Sequence, residues 1–451
     1  MTQTINNSIH LEELKNFFST QDIDWLKEYL KNIHSADIAE LSWEFTPEEL
    51  VTIISCVSYM KCANILSEID SELQQQILQV MKPEDIARAI EEMDTDDATD
   101  MLAQVDEDRK DEIFSYMQDK EHIEDIEELS VYPEDTAGSL MAKEYVEVKE
   151  DWSIEECLKE VRRQAQEVDR VHSVYLVDSA GKLTGRVSLK DLISAYGDKK
   201  VSDIKRRRVD SVYDTDHARD VAFTMEKYNM EAIPVISHDW VLLGRITIDD
   251  VIDYVRDTAE ENYNLASGIT QDIDADDGMK DMVKARFPWL FIALVWGFFA
   301  VVALWGFEDA MESHGALFFF TPLIAAMAWN VWVQASALVV QWLANGSLKG
   351  AIWARFIREI LLSLVNGITL SAILFIGSYL IFGFDILVLT TVSIALIMVI
   401  VMAGLIGTFI PLVLNKVWIN PALATWPFIT TSNDIFGILI YFSLAKIIIW
   451  F

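Results

Sequence analysis

Asp434 is the one charged residue between Lys416 and Lys446, inside a stretch apolar enough to cross a bilayer. An ionised carboxylate at membrane depth is costly, so such groups face a pore, a cavity or a partner. Thr430, Thr431, Ser432 and Asn433 add oxygen donors and acceptors over the same helical turns. A partly hydrated hard cation takes ligands of this kind. The plainer reading is a carboxylate bonded to a neighbouring helix. Upstream, Asn330 and Gln334 stand four apart and so share one helical face. Amides so placed either line a water-filled path or bond helix to helix.

Two further groups of acids lie outside the apolar stretches. Asp94, Asp96, Asp97 and Asp100 crowd one short segment, which is either a solvated face or a cation site. The run VIDYVRDTAEENYNLA reads as a helix to about Ala266 carrying Asp253, Asp257, Glu260 and Glu261. These four repel one another unless screened, protonated or bridged by metal. Catalysis has no candidate, because the seven His show no HExxH or triad context and no Gly-rich phosphate loop is present.

The elements that must position these residues follow from a sharp division of charge. From Lys284 onward seven Lys/Arg face six Asp/Glu, so the net −35 of the chain places −36 on the first 283 residues. So acidic a half argues against nucleic acid, whose phosphates demand Lys and Arg, and disfavours anionic lipid. Cations are its natural counter-partners, although an acidic face also serves plain solubility. Cys56, Cys62 and Cys157 lack metal spacing and read as reduced cytosolic thiols. The N-terminal MTQTINNSIHLEELK has no apolar signal region, so that half is expected in the cytosol.

Five membrane helices are expected at about 287–306, 317–343, 360–382, 387–413 and 426–449. Each supplies the ~20 apolar residues that a ~30 Å hydrocarbon core needs. Lys284, Arg286, Lys349, Arg355, Arg358 and Lys416 flank one side, whereas Glu308, Asp309, Glu312 and Asp385 mark the other. The positive-inside rule then puts the N-terminus inside and the C-terminus outside, with Lys446 free to snorkel. Pro421 and Pro427 near the start of the fifth helix each remove a donor, leaving the carbonyls of Val417 and Leu423 for water or a cation.

The acidic half contains an internal repeat. Gly185-Arg186-Val187-Ser188-Leu189-Lys190-Asp191-Leu192-Ile193 recurs 59 residues later as Gly244-Arg245-Ile246-Thr247-Ile248-Asp249-Asp250-Val251-Ile252. Each copy follows a β-rich run, Val174–Val177 or Ile233–Ile236, and leads into a helix, which describes one α/β module present twice. Residues 8–130 read as helical throughout, with Ile86, Ala89, Ile90 and Met93 at helical spacing. Pro47-Glu48-Glu49 and Pro83-Glu84-Asp85 look like first turns. Short helices in succession suggest a small superhelix.

The repeat resembles the paired cystathionine-β-synthase (CBS) domain, with Ser188/Asp191 and Thr247/Asp250 in the pattern of hydroxyl and acid that can meet an adenosine ribose. Many such pairs instead act as levers or dimer interfaces. Trp240 stands where the first copy has the turn residue Gly181, a departure that counts against nucleotide binding in the second copy. The whole order resembles the MgtE family of magnesium channels: an acidic helical domain (1–131), a CBS pair (132–252), an acidic connecting or plug helix with linker (253–283) and five spans (284–451). Supporting strings are Tyr132-Pro133-Glu134-Asp135-Thr136-Ala137-Gly138, Lys284-Ala285-Arg286 before Pro288-Trp289, and Pro421-Ala422-Leu423-Ala424 followed by Pro427 to Thr431 and Asn433-Asp434.

The resemblance implies a multidomain fold: an all-α superhelix, an α/β tandem CBS pair, a connecting helix and an all-α five-helix membrane domain. It implies a homodimer with a pore on its two-fold axis, in the cell (inner) membrane. The ion-binding Asp matches Asp434, helped by a backbone carbonyl near Thr430. Gating acids match Asp96, Asp100, Asp250, Glu260 and Glu261. Mg²⁺ is the expected ion and ATP a candidate ligand of the CBS pair. Asp434, Thr430 and Asn330 suit a Mg²⁺ held through its water shell, and Asp253 and Asp257 join the expected gating set. A transporter of Mn²⁺ or Co²⁺ and a non-conducting nucleotide sensor are the alternatives.

The chain also departs from the family pattern. Ala328-Trp329-Asn330-Val331-Trp332-Val333-Gln334 stands where Gly-Gly-Asn-x-Gly-x-Gln is usual, Trp342, Trp418 and Trp426 replace small residues, and Asn420 stands for an acid. Bulky indoles there are expected to force helices apart or fill the path. The amide at Asn420 is expected to weaken cation attraction at the cytosolic mouth.

Overall fold

The structure, a computed structural model, describes residues 2–166, 168, 170–195, 199–206, 209–269, 278–308, 315–344, 352–417, 419–421 and 427–449. Side chains of residues 2–9, 281, 344, 352 and 427–434 lie outside that description. The chain forms two units, Met1–Val255 and Arg256–Phe451.

The first unit opens with ten helices: α1 (Thr2–Thr20), α2 (Ile23–Leu30), α3 (Ser35–Glu40), α4 (Pro47–Ile54), α5 (Tyr59–Glu68), α6 (Ser71–Val80), α7 (Pro83–Ile90), α8 (Thr95–Ala103), α9 (Glu107–Tyr116) and α10 (Lys120–Leu129). Pro47 and Pro83 begin α4 and α7, where a missing N–H costs nothing. Thr46 closes a capping box with Glu49, accepting from its N–H at 3.3 Å while the carboxylate accepts from Thr46 N at 3.0 Å. From α3 onward each helix packs on the one two places along, α3 on α5 and α7 on α9 in one row, α4 on α6 and α8 on α10 in the other. This is the expected superhelix. Ile86, Ala89, Ile90 and Met93 are buried in one continuous core.

Two copies of a three-stranded module follow. The first holds β1 (Val146–Lys149), α11 (Ile154–Gln164), β2 (Val174–Val177), β3 (Leu183–Val187) and α12 (Leu189–Ser194). The second holds β4 (Val212–Tyr213), α13 (Ala218–Tyr228), β5 (Ala232–Ile236), β6 (Leu242–Thr247) and α14 (Ile248–Ser267). In each, the first strand pairs parallel with the second, and the second antiparallel with the third. Gly244 on β6 sits where a Cβ would come within 2.7 Å of the Ala142 carbonyl, so only glycine admits the bridge between Ala142 and Arg245. α14 runs unbroken from the second module through the acidic run, so the expected division at 252/253 falls within a helix.

The two β-hairpin turns bond to each other. Leu183 N donates to Trp240 O at 2.9 Å and Leu242 N to Gly181 O at 3.1 Å. Both turn residues need left-handed backbone, Gly181 at φ 74° and Trp240 at φ 69°. Trp240 thus fills the glycine's conformational role, with half its surface exposed. A bulky residue held there costs about 1 kcal/mol. Trp240→Gly is expected to raise stability by roughly 0.5–1 kcal/mol, read as a shift in thermal midpoint.

Among the described residues of the second unit, five long helices follow the end of α14: α15 (Met279–Trp305), α16 (Ala316–Ala344), α17 (Ile352–Phe382), α18 (Ile386–Lys416) and α19 (Pro427–Ile449). Over the described residues the first four are long and apolar enough to span a membrane, and Ile435–Ile449 is apolar too. α17 starts at Ile352 rather than 360, because nothing breaks the helix between them. Arg355 and Arg358 therefore lie on helix rather than loop. α19 begins at Pro427, so this proline is its first residue and frees no carbonyl within the helix, while Pro421 lies before it and Leu423 outside the described residues.

α18 is the central strut, packed against α16, α17 and α19. Tyr441 on α19 is buried and donates to the Leu317 carbonyl at 2.8 Å. Trp332 is 1% exposed, yet it does not push α16 and α18 apart. A Cβ on Gly407 of α18 would sit 2.8 Å from the Trp332 carbonyl, so the small residue stands on the facing helix instead.

Candidate functional site

The acids of the first unit converge where α8 meets the start of α14. Asp94 precedes α8, Asp96 and Asp97 occupy its first turn and Asp100 follows. Glu144 from the segment before β1 caps that helix, accepting from Thr95 N at 3.1 Å and Thr95 Oγ1 at 3.0 Å. Lys143 N donates to the same Thr95 Oγ1 at 2.8 Å, and Thr95 is fully buried. A carboxylate at a helix N-terminus also meets the positive end of the helix dipole. Arg245 closes the junction with a 3.2 Å ion pair to Asp94.

Asp250 faces this cluster. Its Oδ2 accepts from Thr247 N and Thr247 Oγ1, each at 2.7 Å, so the hydroxyl–acid pair of the second module caps α14. Loss of hydration is the main cause that pushes the α8 carboxyls up, and Asp250 is the next cause for all three. Asp97 rises to about 7 and Asp100 to about 6. Asp96 rises well above the usual carboxylate range, with Asp97, Asp94 and Glu144 contributing after Asp250. Asp97 and Asp100 keep an open side to solvent, which screens the repulsion. Among the described residues no three His, Cys, Asp or Glu side chains close around one ion. The cluster is therefore an acidic field rather than a finished cage.

Of the expected gating residues, Asp96, Asp100 and Asp250 come together here, and the exposed Asp253 adds to the field at Asp97. Asp257, Glu260 and Glu261 lie on the part of α14 in the second unit and are exposed. In the first module Ser188 accepts from Asp191 N at 3.1 Å, capping α12, and Asp191 lies 3.9 Å from Arg206.

In the membrane unit Asp434 and Thr430 lie on α19, with side chains outside the described residues. Asn330 is exposed and donates to Ala326 O of its own helix at 2.8 Å, and Gln334 is exposed on the same face. Trp329 is exposed beside them, and Trp342 lies under the Arg355 guanidinium at 4.9 Å. Trp418 and Trp426 fall outside the described residues. Asn420 Nδ2 donates to Asn262 Oδ1 of α14 at 2.9 Å.

Comparison with known proteins places this architecture. A family model for a divalent cation transporter matches residues 321–444, one for the MgtE intracellular N domain matches 33–135, and CBS domains match 137–198 and 201–257. The magnesium transporter MgtE of Thermus thermophilus is 31% identical over 94% of this chain and 95% of its own length. That of Bacillus subtilis is 30% identical over 91% of this chain and 90% of its own. The chain belongs to the MgtE family. It is thus an integral membrane protein of a family of transporters, not enzymes. The solved soluble part of a magnesium transporter covers 56% of this chain and 99% of that one, at 29% identity and TM-score 0.52. A cytosolic domain of the Mg²⁺ channel MgtE in complex with ATP covers 54% and 99%, at 31% identity and TM-score 0.52.

Sequence reasoning missed Glu144, Arg245 and Asn262. Arg245 had a signal, since Gly-Arg recurs in both copies of the repeat. Glu144 and Asn262 had none, because their partners are 49 and 158 residues away.

Proposed function

We propose that the chain is a Mg²⁺ channel of the cell membrane, formed by two copies, that closes when cytosolic Mg²⁺ binds its acidic cluster. The observation that carries this reading is the meeting of Asp96, Asp97 and Asp100 on α8 with Asp250 on α14, carboxyls raised by burial and by one another, whose charged forms a cation among them would stabilise. Mg²⁺ keeps much of its water and needs few direct protein ligands, so an acidic field suits it. With scarce Mg²⁺ the acids repel and the α8–α14 junction loosens. With abundant Mg²⁺ they draw together, and Asp253, Asp257, Glu260 and Glu261 along α14 carry the change toward the pore. The ion acts through its differential affinity for the two arrangements.

Asp434, aided by Thr430 and Asn330, is the selecting station of this reading, with the N-terminus cytosolic and the C-terminus outside. ATP is the nucleotide proposed for the CBS pair, beside Ser188, Asp191 and Thr247, because a relative's cytosolic domain was solved with it. The test is ²⁵Mg²⁺ or fluorescent-indicator flux in reconstituted vesicles as internal-side Mg²⁺ is varied. Asp96→Asn/Asp100→Asn is expected to raise the closing concentration about tenfold, a coupling loss of ordinary size. Closure at the parent concentration would refute the gating role. Competition by Mn²⁺ and Co²⁺ in the same assay settles which ion the pore prefers.

A further inference from the structure

Two arginines stand three residues apart near the start of α17, Arg355 and Arg358, and are neighbours on the helix surface. Like charges so placed repel one another unless an anion offsets them. The one acid of α17, Glu359, follows Arg355 by four residues, a spacing that suits an ion pair. It is turned elsewhere. A Cβ on Gly404 of α18 would lie 3.1 Å from Glu359 Oε1, so the carboxylate sits in the seam between the two helices. Arg358 is exposed, and among the described residues no carboxylate pairs with it. The Arg355 guanidinium lies 4.9 Å over the ring of Trp342 on α16. Stacking fixes the plane of the guanidinium, and its N–H groups, which lie in that plane, point past the ring.

Depth decides which anion can reach them. α17 has 31 residues, about 46 Å at ~1.5 Å each, and so exceeds a ~30 Å hydrocarbon core. With the core centred on the helix midpoint near Gly367, Arg358 lies about 13 Å and Arg355 about 18 Å from the mid-plane, on either side of the boundary at about 15 Å. Trp353 and Tyr379, 79% and 50% exposed, then fall about 21 Å and 18 Å out, at the two levels where aromatic belts lie. Phospholipid headgroups occupy the same level as Arg355. Deeper along the face of Arg358, the exposed Leu362 and Val365 offer apolar surface. α17 packs chiefly on α18, which leaves this face on the outside of the unit.

We infer that the start of α17 binds an anionic phospholipid, whose phosphate accepts from Arg355 and Arg358 while an acyl chain lies along Leu362 and Val365. Guanidinium groups match phosphate geometry, and two together favour a headgroup of net negative charge over a zwitterionic one. The acidic half repels such lipid, so the attraction belongs to the membrane unit alone. The site rests neither on Mg²⁺ conduction nor on gating by the acidic cluster.

Native mass spectrometry of the full-length protein in neutral detergent, offered equal amounts of phosphatidylglycerol and phosphatidylcholine with the same chains, tests it. The parent is expected to retain phosphatidylglycerol about tenfold over phosphatidylcholine. Arg358→Gln is expected to lower that preference about threefold, as for an exposed charge, with the melting temperature unchanged. Arg358→Lys keeps the charge without the fork and is expected to recover part of the loss. Arg355→Gln/Arg358→Gln is expected to hold the two lipids equally. Equal retention by the parent, or a preference that the double variant keeps, overturns the inference and leaves two arginines that merely snorkel to water. Should the double variant fail to fold, Arg358→Gln at the parent preference overturns it as well.

Discussion

Asp434→Ala is expected to lower Mg²⁺ flux on the order of 100-fold while leaving the fold and membrane insertion intact. The argument starts from cost. A lone carboxylate among apolar turns from Pro427 to Ile449 penalises insertion, and removing it relieves that penalty. A purely structural carboxylate would make the variant less stable; an ion-holding one makes it more stable and less active. A charge that meets a divalent ion through its water shell contributes about 3 kcal/mol, which is the stated 100-fold. Asp434→Asn keeps size and hydrogen bonding and separates charge from packing: flux near the parent level in this variant would reduce Asp434 to a helix-binding group. Flux in vesicles and detergent melting temperature, measured on the same preparations, read both quantities.

Much of the architecture was legible because it rests on local periodicity. Pro47 and Pro83 marked helix starts, the Gly-Arg repeat marked two modules, and apolar runs marked the spans. What escaped is contact between distant segments. Trp332 looked obstructive because a family glycine was missing from α16, whereas the space is made by Gly407 on α18. Trp240 looked like a departure from the turn pattern, but the backbone there keeps the glycine conformation. Asn420 looked like a lost acid, and its amide instead meets Asn262. Each reading took one segment alone, where the structure adds the backbone or the partner that the residue meets. The acids of α8 were visible as a cluster, but not that Asp250 opposes all three of them, nor that Arg245 ties the cluster to the sheet.

That opposition sets the second large expectation, a stability that falls as pH rises unless Mg²⁺ is present. A carboxyl whose folded pKa lies above its unfolded value stabilises the fold fully below the unfolded pKa and ceases to do so as pH climbs through the folded one. With Asp100 pushed to about 6 and Asp97 to about 7, the loss runs from about pH 4 to about pH 7. Both groups are solvent-exposed, and water screens their repulsion. The expected loss is about 1 kcal/mol for the pair, or roughly 2–4 °C in the melting of the acidic half. Millimolar Mg²⁺ should abolish the slope, since a bound cation replaces the proton as the neutralising charge. Asp97→Asn should flatten it in chelator alone, because the amide carries no charge for Asp250 to repel. Arg245→Met should steepen it by exposing Asp94 to its neighbours. A melting temperature indifferent to pH between 5 and 8 in chelator would mean that the cluster relaxes into solvent without strain. It would then store no free energy for an ion to release.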